Sequence, residues 1–135
     1  MNFIDKAFDN KLHGDDFLQA MTDIYSEDEV REVLNQYPQF VKDVIFIIDY
    51  DTAIQMDGLG AVIYGDLDGE LPKILQALEN CGAGYEADVL RRAKAMTLEK
   101  FEEEYADLYN ELAINNDYDS FWSLVINYID SSLQT

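Results

Sequence analysis

Apolar positions recur along most of the chain at intervals of three and four, the period of an α-helix that hides one face. The pattern is clearest in the last third. There Leu98, Phe101, Tyr105, Leu108 and Leu112 fall on one stripe after Thr97, a residue suited to N-capping. Asn115-Asn116-Asp117 breaks that helix, and a final helix is expected to bury Phe121, Trp122, Leu124, Val125, Tyr128 and Ile129. The short break predicts antiparallel packing of the two, with Phe101, Tyr105, Leu108 and Leu112 against Trp122, Val125 and Ile129.

Further upstream, Ser26-Glu27-Asp28-Glu29 has the hydroxyl-to-carboxylate spacing of a capping box ahead of Val30, Val33 and Leu34, which predicts a helix stopping at Tyr37. Pro38 disfavours helical backbone in the residue before it and suits the start of the next helix, over residues 38–56, with Val41, Val44, Ile45, Ile48 and Thr52 as its inner stripe. The run Val44-Ile45-Phe46-Ile47-Ile48 also has a strand's composition, but no second run of that kind is present to pair with it. In the middle third, Gly58, Gly60, Gly65, Gly69, Gly82 and Gly84 punctuate short helices joined by tight turns. Pro72 sits where a first helical turn tolerates it, Ile74, Leu75 and Leu78 form an apolar face, Gly82 is the stop, and another helix runs from Tyr85 to Ala95. Neither an internal repeat nor a low-complexity segment is present. The expectation is an all-α fold, a single compact multi-helix bundle of six to eight helices.

A length of 135 residues fits one domain spanning residues 1–135. Carboxylates outnumber basic residues 28 to 9, for a formal charge of -19, yet 48% of residues are hydrophobic. Leu, Ile, Val and Phe number 39, well above the roughly 20% below which such charge means disorder. Nine basic residues in so negative a field cannot neutralise phosphates, which excludes direct nucleic-acid binding. The longest uncharged stretch, Ser120 to Ile129, is about half of the roughly 20 residues a membrane span needs, so no membrane role is expected. The segment from Met1 to Asp9 lacks the basic and apolar regions of a secretory signal, and the lone Cys81 reads as a small buried hydrophobe. A cytoplasmic location is expected.

The acids are not mixed with bases. Seven acids and no base lie between Lys42 and Lys73, and eight acids and no base follow Phe101. On the long helix Glu104, Asp107 and Glu111 line one side of the apolar stripe, and Glu99, Glu102 and Glu103 lie around the other side and back. With Asp49, Asp51, Asp57, Asp66, Asp68 and Glu70 they are the candidate partner-binding residues. Such rows repel themselves. They read either as a solvated face or as a surface presenting charge at the spacing of a phosphate backbone.

Recognisable catalytic chemistry is missing. His13, the only histidine, has no second ligand nearby. Gly-x-Ser-x-Gly is absent, and the glycines near Gly58 are not followed by the Gly-Lys-Ser/Thr of a phosphate loop. Aligning Gly69 with the glycine of a calcium loop puts Tyr64 at the first ligand position and Leu75 at the last, so that match fails. A glycosidase's carboxylate pair is compatible with the composition, yet helical domains this small seldom enclose a sugar cleft. No enzymatic activity, cofactor or metal is expected.

The order Tyr50, Asp51, Ile54, Asp57-Gly58, Tyr64-Gly65, Ala77-Leu78-Glu79-Asn80-Cys81-Gly82-Ala83, Phe101-Glu102-Glu103-Glu104-Tyr105 and Tyr128-Ile129 resembles a bacterial family of acidic helical DNA-mimic proteins. The resemblance covers residues 40–133, and residues 1–37 match weakly. Asp57-Gly58-Leu59-Gly60 stands where the family pattern has Asn-Gly-Gly-aromatic, and Leu59 would tolerate positive φ poorly. The shared motifs are architectural, so the resemblance implies the fold more strongly than the activity. It implies a non-enzymatic binder of a basic DNA-binding protein. A neutraliser of a basic toxin and an acidic domain without mimicry are the alternatives, and a homodimer is compatible with all three.

Overall fold

The computed structural model describes residues 1–65 and 67–134. Among them the chain runs through α1 (Phe3–Asp9), α2 (Gly14–Met21), 3₁₀ segments Thr22–Tyr25 and Asp28–Gln36, α3 (Gln39–Asp57), α4 (Leu59–Ile63) and a 3₁₀ turn Asp68–Glu70. It continues through α5 (Leu71–Asn80), α6 (Gly84–Ala95), α7 (Leu98–Glu111), α8 (Ala113–Asn116) and α9 (Tyr118–Leu133), with no strand among the described residues. Seven of these α-helices are seven residues or longer, in keeping with the bundle expected from periodicity.

The run that suggested a strand lies inside α3, the centre of the bundle. Phe40, Val41, Val44, Ile45, Ile47, Ile48, Tyr50 and Ile54 are all buried, so α3 is apolar nearly all round, as a helix enclosed by others must be. It packs on α2, α4, α5 and α9. Pro38 is its N-cap rather than part of its first turn.

The α3–α4 turn departs from the expectation for Leu59. Gly58 takes the positive φ, +82°, leaving Leu59 to open α4 fully buried. A Cβ on Gly58 would sit 2.6 Å from the Tyr105 hydroxyl, which accepts a 3.0 Å hydrogen bond from Leu59 N. Gly82, at φ +94°, ends α5 as expected.

Three local expectations are corrected. The Ser26 capping box does not form: residues 28–36 are 3₁₀, with Glu27 at the N-cap and no side-chain cap. A repeat of three places Val30 with Val33 and Arg31 with Leu34, and Arg31 thereby reaches Asp49 on α3. Leu98 and Leu124 are exposed, 57% and 40%, because the buried rows are Phe101 with Leu108 on α7 and Phe121, Val125, Ile129 on α9. Nor do α7 and α9 form an antiparallel pair. α7 packs on α6, with Phe101 edge-on to Tyr64, whereas α9 packs on α2 and α3. The chain is turned between them by α8, whose Leu112 and Ile114 are buried.

Candidate partner-binding surface

Helix α7 begins at the predicted cap, where Thr97 Oγ1 accepts from Lys100 N at 3.1 Å. Burial of Phe101 and Leu108 fixes its rotation and turns Glu99, Glu102, Glu103 and Asp107 outward. These four carboxylates are exposed and make no ion pair or hydrogen bond among the described residues. Glu104 and Glu111, expected beside them, are half-buried and neutralised. Glu104 pairs with Lys100 at 3.0 Å, and Glu111 pairs with Arg92 of α6 at 2.9 Å while accepting from the Tyr85 hydroxyl. The Arg92 contact holds Glu111 below the usual carboxylate range.

Among the described residues the earlier acid-only block does not form a second face. Asp49 is held bidentately by Arg31 at 2.8 and 2.9 Å, Asp68 pairs with Lys94, and Glu70 pairs with Lys73. Asp51 is half-buried, Asp57 is exposed and unpaired, and Asp66 lies outside the described residues. Among the described residues the structure therefore brings together only the outer acids of α7. Positive charge gathers on α6, where Arg91 pairs with Glu79 and Asp88, Arg92 with Glu111 and Lys94 with Asp68.

Two carboxylates that periodicity did not single out hold the scaffold. Glu86 of α6, 2% exposed, accepts from Tyr50 Oη at 2.9 Å, Ala113 N at 2.7 Å and Ile114 N at 3.2 Å, so α3 and the start of α8 are tied to α6. Burial pushes its carboxyl up, and the three donors oppose that shift. Asp43 of α3, 1% exposed, accepts from Gln39, Asn80 and the Tyr128 hydroxyl, joining α3, α5 and α9.

A groove of 630 Å³ lies between α2, α3 and α9. Asp15, Asp51, Asp119, Tyr25, Tyr118 and Trp122 line it, and none of its lining residues is basic. Tyr118 donates to Asp51 at 3.1 Å, and Tyr25 donates to Asp49 at 2.7 Å. Burial pushes the Asp51 carboxyl up, and pushes the Tyr25 hydroxyl up to about 12. The Trp122 indole N–H is buried near the Tyr118 hydroxyl without forming a well-made hydrogen bond. Sequence reasoning assigned Trp122 to the core, placed Asp51 among the partner-binding candidates and passed over Asp15, Asp119, Tyr25 and Tyr118. No spacing signal could have found a groove drawn from three separated stretches.

No helix among the described residues is long and apolar enough to cross a membrane. In comparisons with known proteins, the family described as DMP19-like protein matches residues 35–132. No curated protein and no solved structure gives a significant match. The matched span begins just before α3, so α1, α2 and the groove residues Asp15 and Tyr25 lie outside it.

Proposed function

The chain belongs to the DMP19-like family, and from that premise we propose that it is a non-enzymatic binder whose α7 ridge occupies the DNA-binding surface of a basic protein. The observation that carries this is the row Glu99, Glu102, Glu103 and Asp107, exposed and unneutralised on a helix whose other acids are paired. Four carboxylates between residues 99 and 107 span about 12 Å of helix axis at 1.5 Å per residue, or about one charge per 4 Å. One strand of duplex DNA carries a charge roughly every 3.4 Å. A basic groove built for phosphates thus meets a comparable charge density, and long-range attraction speeds the encounter.

A low-salt pull-down from bacterial lysate, eluted on a salt gradient, selects the partner, and displacement of labelled DNA from that partner measures competition. Glu99→Lys with Glu103→Lys and Asp107→Lys should abolish displacement. The control Asp9→Lys with Asp16→Lys and Asp23→Lys changes net charge equally on exposed acids of the N-terminal segment and should retain most of it. Equal loss in both would mean bulk charge alone acts, and no displacement by the unaltered protein would overturn the proposal. A retained protein that binds no DNA, such as a basic toxin, would favour the neutraliser.

A further inference from the structure

We propose that the groove between α2, α3 and α9 seats an arginine side chain of the basic partner, its guanidinium paired with Asp51 and Asp119 beside the ring of Tyr118. Asp15, Asp51 and Asp119 line it from three helices, and none of them pairs with a base among the described residues, so the groove presents unbalanced negative charge to a cation. Tyr118 is 43% exposed and offers ring surface beside Asp51, to which it donates, whereas Tyr25 already has the Arg31 guanidinium 5.9 Å from its ring centroid. A planar guanidinium satisfies both features, because it pairs with carboxylates through two parallel bonds and stacks on aromatic faces, whereas an ammonium is a point charge. At 630 Å³ the groove is within the roughly 300–1,000 Å³ range of ligand pockets and has room for the flanking peptide as well. The identity of the occupant as part of a basic protein rests on the proposed function; the chemistry of the groove does not.

Trp122 is the only tryptophan, so the ¹⁵N-labelled full chain gives one indole N–H resonance, located in the groove. N-acetyl-arginine methylamide should shift it saturably at constant ionic strength, at least severalfold more tightly than the lysine analogue or spermidine. The neutral citrulline analogue should not saturate it. Asp51→Asn with Asp119→Asn should weaken arginine binding by about tenfold or more, as expected for removing charge-assisted contacts, while leaving amide resonances remote from the groove in place. No saturable shift, equal binding of citrulline, lysine or spermidine, or an unaffected double variant would each overturn the assignment. The ridge is scored separately in the DNA-displacement assay. Arginine binding without displacement sinks the ridge proposal and supports the groove's chemistry, whereas displacement unchanged in the groove double variant overturns the groove as a partner seat.

Discussion

Replacing Gly58 with alanine tests how the α3–α4 turn positions α7. The backbone there has φ +82° and ψ -179°, a region almost confined to glycine, which costs a side-chain-bearing residue about 1–3 kcal/mol. The added methyl would also lie 2.6 Å from the Tyr105 hydroxyl and so must displace it, losing the bond from Leu59 N, worth about 1 kcal/mol. Gly58→Ala should therefore cost about 2–4 kcal/mol, lowering the melting temperature by on the order of 10 °C. In a Tyr105→Phe background the hydroxyl is gone and the nearest ring carbon is 4.0 Å from the new methyl, an ordinary contact. The same substitution should then cost about 1 kcal/mol less, the backbone share alone. Urea denaturation of the four proteins, followed by circular dichroism, gives the cycle. A Gly58→Ala cost below about 1 kcal/mol, or the same cost in both backgrounds, would refute the reasoning.

Glu86 has its folded pKa raised above its unfolded value, so the folded state holds the proton more tightly and stability from this group is full below about 4.5 and falls as pH rises through the folded pKa. Glu86→Gln should flatten the decline in urea-unfolding free energy that begins as pH rises above about 4.5, and parallel slopes in the two proteins would contradict this. Added sodium chloride should raise the melting temperature by screening the carboxylates, with a smaller gain in Glu99→Gln with Glu103→Gln and Asp107→Asn. A salt response identical in both proteins would show that the ridge acids do not repel one another.

Features set by local backbone chemistry were legible in the sequence: the Thr97 cap, the Gly82 stop, the boundaries of α6 and the extent of α3, although a single inner stripe was expected for α3 where the structure buries it nearly all round. Periodicity identifies which face of a helix is apolar but not which neighbour covers it. The expected pairing of α7 with α9 failed for that reason. Their connection is bent by α8, whose first amides are held by Glu86 from an earlier helix. Ser26 had the spacing of a cap, but residues 28–36 follow a 3₁₀ path on which Arg31 bonds Asp49, a long-range contact that spacing does not reveal. Within the candidate surface, sequence placed acids on α7 correctly. It could not tell that Glu104, Glu111, Asp49, Asp68 and Glu70 find bases brought near by folding, or that Asp51 lines a groove.

The position of α7 also sets how the molecule opens. Among the described residues of α7 only Phe101 and Leu108 are fully buried, whereas α3 is enclosed by helices on several sides. Amide protons of α3 should exchange with solvent deuterium only through complete unfolding, and those of α7 through a smaller and more frequent excursion. The most negatively charged helix should thus exchange as a unit separate from the centre. A partner clamped along its ridge would slow exchange in α7 first, which makes the footprint of binding visible even where the fold does not change.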